Sequence, residues 1–338
     1  MVSVIMPTYN TELKMLSESI NSILNQDYSD IELLIIDDGS ENYSNYKFVV
    51  NNYKDKRVHP IKNAENMGVA KTLNKALNIA KGSIICRMDA DDIATPNRIS
   101  TLVHFLEDNP SVSVVGSFAT TSGAAKATLK YPLNDVGIRI ELLYNNPFCH
   151  PTVAFKKSIL DKHSIQYPTN VAKEDYNMWV SLSQFDDVVF ANIPRVLLNY
   201  RVHSNQVTQK DQNKLKAGAS AVTKKALGFF GVAVDNESKI ENYVKTNYNS
   251  AAVSVMEFSD AIDVYNQIYY CACSKSEEYK KQATDLLSIK IKKIYIKQIF
   301  VFHSSLNGKN IPDWVCTNTG NTKLDVIFLL AKLFTFFA

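Results

Sequence analysis

The sequence has few cysteines and no pair of them at metal-binding spacing. Its 338 residues contain 5 cysteines, an odd number without a Cys-x-x-Cys motif. Neither a disulfide framework nor a thiolate zinc site is therefore indicated, and a reducing compartment fits this usage. Met1 is followed directly by the strand-like stretch VSVIMPTYN, without a basic leader or a cleavable apolar segment. We therefore expect no secretory signal and a cytoplasmic protein.

Features of several other protein classes are also missing. The chain has no internal repeat, no low-complexity tract, and no motif that matches a nucleophilic Ser or Cys with a His. A covalent catalytic route therefore has little support. The composition, 46% hydrophobic and 21% charged with a net charge of +3, is that of a globular protein long enough for two domains. We expect no nucleic-acid partner.

The first part of the chain alternates strand-like and helix-like segments. Short apolar runs with β-branched residues alternate with segments of helical periodicity, and the strand-like runs are VSVIM, IELLIID, RVHPI and SIICRM. This alternation predicts an α/β fold with a mostly parallel mixed sheet. Ligands of such sheets bind beyond the carboxyl ends of the strands, where the clusters PTYN, DDGS and MDADD fall. We expect these clusters to line one cleft.

The sequence pattern changes after residue 210. Helix-like stretches replace the alternation, for example KLKAGASAVTKKALGFF and AIDVYNQIYYCA. We therefore predict a first domain over residues 1–210 and a C-terminal helical region over residues 211–338. The first carries 21 basic and 22 acidic side chains, and the second 16 and 12. The excess of basic residues in the second part favours an anionic surface as its neighbour.

Three carboxylates crowd into the segment MDADD. Asp89 and Asp91 are two residues apart, so in an extended chain they point the same way and can share one ligand. Carboxylate oxygens are the usual protein contribution to a Mg²⁺ or Mn²⁺ site. The alternative is a solvated turn in which Asp92 and Thr95 cap the next helix. The residues alone leave both interpretations open.

Seven motifs occur together in an order that is similar to a known family. They are VSVIMPTYN, LLIIDDGS, NMGVAKTLNKAL, MDADD, HPTVAF, KEDYNMW and YRVHSNQVT. In this order and spacing the chain resembles bacterial family 2 glycosyltransferases, which have the A-type glycosyltransferase fold. The resemblance covers residues 1 to about 208. It implies an inverting enzyme that uses a nucleoside diphosphate sugar.

The resemblance implies a uridine site at the ends of the first two strands. It assigns Pro7, Thr8, Tyr9 and Asp38 to the nucleotide. Asp38 suits this role because a carboxylate can accept the imide hydrogen of uracil. A turn cap at the end of the strand is the alternative for both aspartates of the DDGS motif, and it suits Asp37 better.

The resemblance also implies the metal and diphosphate contacts. It places Asp91 at the metal-binding position, Asp89 near the ribose or the metal, and His203 near the metal or diphosphate. Arg201 lies on the same side of an extended chain as His203, where it could contact phosphate. Lys71 could approach the donor, but a solvated helix face explains it equally well. The implied cofactor is Mn²⁺ or Mg²⁺.

The catalytic base implied by the resemblance is the aspartate of a Glu-Asp pair, here Asp175 beside Glu174. Tyr176, Trp179 and Val180 have the spacing of a buried helix face. Asp175 then falls in the first turn, where the helix dipole favours the ionised carboxylate that a base requires. A residue that only complements the dipole is the alternative.

The resulting prediction is a metal-dependent transferase of surface polysaccharide synthesis, such as capsule or O-antigen. Its donor would be a UDP-hexose or UDP-N-acetylhexosamine, and its acceptor a glycan or a lipid-linked sugar. Two lysine-bearing apolar segments, 288–302 and 323–338, suggest peripheral contact with the inner membrane leaflet, with core packing or an oligomer contact as the alternative. A nucleotidyltransferase and a non-catalytic nucleotide-binding assembly module are the competing functions.

Overall fold

The computed structural model describes residues 1–123, 126–169, 171–203, 212–233, 236–248 and 254–299, with Val315 and Phe328. Internal contacts divide the chain into two units. The first comprises Met1–Asp135 and Asn146–Asp211, and the second comprises Val136–Asn145 and Gln212–Ala338. The segment Val136–Asn145 lies in the second unit, whereas the predicted first domain, residues 1–210, includes it. The limits of independently folding domains stay a prediction.

A nine-stranded sheet forms the centre of the first unit, in the order β3-β2-β1-β4-β8-β6-β9-β5, with β7 beside β6. The neighbouring strands β1 to β4 pair in parallel, as do β6 and β9, whereas β5, β7 and β8 pair antiparallel. The strands are β1 (Val2–Thr8), β2 (Ile31–Asp37), β3 (Val58–Lys62), β4 (Ile84–Arg87), β5 (Ile93–Ala94), β6 (Val112–Gly123), β7 (Thr128–Leu129), β8 (Ala154–Lys156) and β9 (Val189–Val202).

Seven helices connect the strands in the first part of the chain. They are α1 (Leu13–Leu24), α2 (Ser44–Asn52), α3 (Val69–Ile79), α4 (Arg98–Asp108), α5 (Asp135–Glu141), α6 (Lys157–His163) and α7 (Glu174–Leu182). Helices α1 and α4 bury Leu16, Ile20 and Leu102 in one apolar cluster with Val4 and Leu33 of the sheet. The central strands are apolar on both faces because helices cover both. The predicted α/β class with a mostly parallel mixed sheet is confirmed.

The second unit contains helices, as predicted for the C-terminal region. After the segment Val136–Asn145 the described helices are α8 (Gln212–Phe230), α9 (Glu237–Tyr248), α10 (Val255–Lys275) and α11 (Glu277–Ile299). A capping box begins α10, where the Ser254 hydroxyl accepts from the Glu257 N–H and the Glu257 carboxylate accepts from the Ser254 N–H. No helix of the described ranges has the length and apolarity to cross a bilayer.

The structure supports core packing for the first of the two segments expected at the membrane surface. Ile291, Lys292, Ile294 and Tyr295 of the segment 288–302 are all buried. This burial favours the core-packing alternative for these four residues, and contact of the segment with the membrane surface stays a prediction. The segment 323–338 lies outside the described residues, apart from Phe328.

Candidate active site

The acidic segment forms a tight turn directly after β4. The Asp92 N–H donates to the Asp89 carbonyl oxygen over 3.4 Å, so the expected extended geometry for Asp89 and Asp91 is wrong. The turn nevertheless brings one carboxylate oxygen from each of Asp89, Asp91 and Asp92 within 4.8 Å of one another. The conformation differs because the strand ends at Arg87. The acidic turn, residues 89–92, therefore groups three carboxylates.

Each carboxylate of the acidic turn has its own partner. Asp89 forms an ion pair with the buried guanidinium of Arg87. Oδ2 of Asp91 lies 2.8 Å from Nε2 of His203, and Oδ1 of Asp92 accepts from the Arg201 N–H over 2.9 Å. Asp92 therefore fixes the end of β9 and does not cap α4, which has no side-chain cap.

Burial and mutual repulsion act on the protonation of this turn. Burial raises the pKa of Asp89, and Asp91 adds to the rise while Arg87 opposes it. Burial also raises the pKa of Asp92 well above its ordinary value, with further contributions from Asp89 and Asp91. Carboxylates that repel one another in a low-dielectric site favour a bound cation.

Polar side chains on and just after α1 bind the acidic turn and the segments next to it. This polar stripe of α1 consists of Glu18, Ser19 and Ser22, with Gln26 two residues past the end of the helix. The Ser19 hydroxyl donates to the Asp89 carbonyl oxygen over 2.7 Å and is fully buried. The other three members bind neighbouring segments: Glu18 pairs with Arg201, Ser22 accepts from the Ala94 N–H, and Gln26 donates to the Thr95 carbonyl oxygen and accepts from the Ile99 N–H.

Asp175 lies in the first turn of α7, as predicted. The preceding Lys173 adopts a left-handed conformation with φ of 60°, which starts the helix at Glu174. Oδ1 of Asp175 accepts from the Tyr176 N–H and Oδ2 accepts from Nδ2 of Asn146, each over 2.7 Å. The side chains of Tyr176, Trp179 and Val180 are fully buried, as expected for the inner face of this helix.

The protonation of Asp175 is governed by its surroundings more than by the helix. Burial raises the pKa of Asp175, while the Tyr176 N–H, Lys173, Asn146 and Arg87 act in the opposite direction. The N–H at the helix start thus acts in the expected direction, and burial opposes it. Burial and the charge of Asp175 raise the pKa of the adjacent Glu174 to about 7.

Asp175 and the acidic turn belong to one electrostatic cluster. Asp175 contributes to the raised pKa of Asp89, and both contribute to the raised pKa of the buried Cys149 thiol. Arg87 acts on both carboxylates and, after burial, helps to hold the pKa of His150 well below its ordinary value. His150 is partly buried, with Nε2 at 3.0 Å from the Tyr167 hydroxyl.

The residues predicted to hold uridine lie at the adjacent carboxyl ends of β1 and β2. Pro7 and Thr8 end β1, and Tyr9 follows with 50% of its surface exposed. The Thr8 hydroxyl lies 3.1 Å from Oδ1 of Asn45, which also accepts from the Ser40 hydroxyl. Asn45 thus ties the two strand ends together. The nucleotide contacts of these residues stay a prediction.

Asp38 is buried and holds a loop in place. Its carboxylate accepts from Nδ2 of Asn63 over 2.8 Å and from the Met67 and Gly68 N–H groups over 2.9 Å each. The adjacent Asp37 accepts from the Ser40 and Tyr46 N–H groups, which is the turn cap proposed for it. A uracil contact by Asp38 stays a prediction, since these bonds give it a structural role.

Two residues predicted to contact the nucleotide-sugar donor, Lys71 and Arg201, lie outside the acidic turn and the strand ends of β1 and β2. Lys71 is exposed in the first turn of α3. Asn74 on the same helix exchanges two hydrogen bonds with the Tyr167 backbone, of 2.8 and 2.9 Å. The Arg201 guanidinium pairs with Glu18 on α1. The phosphate contacts predicted for Lys71 and Arg201 therefore stay predictions.

The chemistry of the acidic turn fits a divalent cation. Among the described residues, Oδ2 of the fully buried Asp92 has no hydrogen-bond partner, although buried carboxylate oxygens are normally satisfied. The three carboxylates provide hard oxygen ligands of the kind that Mg²⁺ and Mn²⁺ prefer, and His203 adds an imidazole. Asp89, Asp91, Asp92 and His203 are the residues that could hold the ion.

The acidic turn follows β4 at the carboxyl edge of the parallel strands, which is where ligands of open α/β sheets bind. The model of the family described as Glycosyl transferase family 2 matches residues 3–164. The O-antigen biosynthesis glycosyltransferase WbnJ of Escherichia coli is 36% identical over 215 residues, which cover 62% of this chain and 82% of WbnJ. The chain belongs to glycosyl transferase family 2 and is a glycosyltransferase.

Two further comparisons concern a second relative and the fold. WfgD of Escherichia coli, a UDP-Glc:alpha-D-GlcNAc-diphosphoundecaprenol beta-1,3-glucosyltransferase, is 29% identical over 221 residues, 64% of this chain and 83% of WfgD. The structure of S. aureus TarS residues 1–349 in complex with UDP-GlcNAc superposes with a TM-score of 0.57 at 17% identity, covering 88% of each chain. The fold is the A-type glycosyltransferase fold that the resemblance implied.

Proposed function

We propose that the protein transfers a hexose or N-acetylhexosamine from a UDP-sugar to a hydroxyl group of a glycan or lipid-linked acceptor, with inversion at the anomeric carbon. The supporting observation is the electrostatic link between Asp175 on α7 and Asp89 in the acidic turn, within one cluster of charged side chains. An inverting displacement needs a base for the acceptor and a separate site that stabilises the leaving diphosphate.

Asp175 is the proposed base. As the acceptor oxygen forms its bond to the anomeric carbon, the Asp175 carboxylate takes the hydroxyl proton. The bond from the anomeric carbon to the diphosphate breaks, and its electron pair stays on the diphosphate. Burial of Asp175 raises its proton affinity, which makes it a stronger base than an exposed aspartate, while Lys173 and Arg87 favour its ionised form before the reaction.

The acidic turn is the proposed leaving-group site. Asp89, Asp91, Asp92 and His203 would hold Mn²⁺ or Mg²⁺, which stabilises negative charge on a departing diphosphate when it is bound. Arg87 keeps Asp89 oriented, and the Ser19 hydroxyl of α1 holds the backbone of the turn. Pro7, Thr8, Tyr9 and Asp38 would form the nucleotide side of the same edge, with Lys71 and Arg201 as further donor contacts.

The donor and acceptor classes are supported by the related proteins. TarS was crystallised with UDP-GlcNAc, and the name of WfgD specifies UDP-Glc and an acceptor on diphosphoundecaprenol. WbnJ is named for O-antigen biosynthesis, so a role in surface polysaccharide synthesis is part of the proposal. An acceptor with a polyprenyl chain stays in the bilayer, and peripheral contact with the inner leaflet follows from it.

The test is an assay of nucleoside diphosphate release from a panel of UDP-, GDP-, ADP- and dTDP-sugars, with Mn²⁺, with Mg²⁺ and with EDTA. Synthetic sugar-diphosphate lipids and short glycans serve as acceptors. We expect release from one UDP-sugar that needs a divalent cation and an acceptor, and a product whose anomeric configuration by NMR is opposite to that of the donor. Retention of configuration, or undiminished transfer in EDTA, would overturn the proposed mechanism.

A further inference from the structure

Asn146 makes a direct contact with the proposed base that the sequence analysis did not anticipate. Its Nδ2 atom lies 2.7 Å from Oδ2 of Asp175. The other Asp175 oxygen accepts from the Tyr176 N–H. Both carboxylate oxygens are therefore oriented by donors, and Asn146 is the donor that comes from outside the helix carrying Asp175.

The orientation of the Asn146 amide follows from the turn in which it lies. Oδ1 of Asn146 accepts from the Phe148 N–H over 3.2 Å, two residues along the chain. A backbone N–H can only donate, so this bond identifies the amide oxygen and directs the NH₂ group of Asn146 toward Asp175. Such Asx turns are favoured by an asparagine before proline, and Pro147 follows here.

The turn is attached to the same helix as Asp175 by a second contact. The ring of Phe148 meets the ring of Trp179 edge to face, with centroids 5.5 Å apart, and Trp179 lies one helical turn after Asp175. Nδ2 of Asn192 on β9 donates to the Pro147 carbonyl oxygen over 3.1 Å. The hydrogen bond from Asn146 to Asp175 is thus held between two packed elements.

We propose that Asn146 is a positioning residue for the catalytic base, which fixes the carboxylate of Asp175 in one orientation and stabilises its ionised form. The proposal rests on the proposed function, because it requires Asp175 to be the base. A neutral amide suits this task, since it donates to a carboxylate without adding a charge that would bind the leaving diphosphate.

Other charged and titratable groups also face Asp175 and must stay constant in a test. They are Lys173 and Glu174 at the start of α7, Arg87 and Asp89 at the end of β4, Cys149 after the Asn146 turn, and Tyr167 after α6. Substitutions at position 146 leave all six in place. A change in the pH dependence of catalysis can therefore be assigned to the lost amide.

The experiment measures kcat and KM against pH for wild type, Asn146→Ala and Asn146→Ser. Serine can still accept from the Phe148 N–H but is too short to reach Asp175, so it keeps the turn and removes the contact. We expect the acidic limb of the kcat–pH profile to shift to higher pH by about one unit in both variants. The reason is that loss of a hydrogen-bond donor raises the pKa of a carboxylate. The KM for the nucleotide-sugar donor should stay unchanged.

Asn145→Ala is the matched control, because Nδ2 of Asn145 donates to Glu141 over 2.9 Å in the helical unit. Its acidic limb should coincide with that of wild type. An acidic limb at the wild-type pH in Asn146→Ser would overturn the positioning role, provided that the melting temperature shows the variant to be folded. Asp175→Asn separates the two proposals: full turnover by that variant would refute Asp175 as the base, whereas an inactive Asp175→Asn with an unmoved Asn146→Ser limb refutes only the inference about Asn146.

Discussion

Nε2 of His203 lies 2.8 Å from Oδ2 of Asp91, which joins the residue after β9 to the acidic turn. Imidazole and carboxylate are both ligands for Mn²⁺, so the pair can bind one ion together. We expect His203→Ala to weaken Mn²⁺ binding about tenfold and Asp91→Ala about 100-fold or more. Isothermal titration with Mn²⁺ measures both. Asp186→Asn, at an exposed position, is the control, and an unchanged Asp91→Ala would contradict the ligand role.

Replacing the proposed base should separate binding from chemistry. Asp175→Asn keeps the side-chain shape and removes the proton acceptor, so we expect donor affinity close to wild type. The transfer rate should fall by roughly 10²–10⁴, the usual contribution of a general base. Fluorescence titration with the donor and single-turnover kinetics measure the two quantities. A parallel loss of donor binding would show that Asp175 acts in the nucleotide site instead.

Glu174 should make the stability of the fold depend on pH. Its pKa is about 7 in the folded chain against an ordinary value of 4.5, so the folded state binds the proton more tightly. Ionisation therefore costs no stability below about pH 4.5, and the penalty is complete above pH 7. We expect Glu174→Gln to raise the melting temperature at pH 8 by a few degrees and to have little effect at pH 5.

Differential scanning calorimetry in EDTA tests this prediction without interference from bound cations. The matched control is Glu65→Gln, because Glu65 is exposed in the loop before α3. Its melting temperature should follow that of wild type at both pH values. A stabilisation by Glu174→Gln that is equal at pH 5 and pH 8 would contradict the raised pKa.

Ser19 of the polar stripe should matter for metal binding although it contacts the backbone of the acidic turn and not a carboxylate. Ser19→Ala removes the shorter of the two hydrogen bonds to the Asp89 carbonyl oxygen and leaves only the 3.4 Å bond from the Asp92 N–H, a cost of about 1 kcal/mol. We expect Mn²⁺ affinity to fall about tenfold because the turn loses its support. Ser17→Ala on the same helix is the control, since Ser17 contacts the Tyr53 hydroxyl. Equal losses in both variants would refute this role.

The sequence predicted the parts of the fold that depend on local pattern. Apolar runs with β-branched residues predicted β1 and β2, and helical periodicity predicted α1 and α3. Helix α9 was not predicted because ESKIENYVKTNY has few apolar residues and its helical periodicity is weak. The acidic turn was expected to be extended because its carboxylates suggested a ligand, while its backbone conformation depends on contacts with α1.

The site residues that the sequence analysis missed act through contacts across the chain. Arg87 is a charged residue at the end of an apolar strand, a local signal that could have indicated a buried partner for Asp89. Asn146 stands before a proline, which predicts a turn but not the carboxylate 29 residues later. Ser19 looks like any small polar residue on a helix. Periodicity cannot supply such pairings, because they depend on which elements meet in three dimensions.

The packing of Trp179 against Phe148 gives the protein an internal optical reporter. The sequence contains two tryptophans, so Trp314→Phe leaves the indole of Trp179 as the single emitter. Its fluorescence would then follow solvent entry beside the helix that carries Asp175, without an added label. Unfolding curves followed by Trp179 fluorescence can be compared with curves followed by circular dichroism. A difference between the two would show that the surroundings of Asp175 unfold before the rest of the chain.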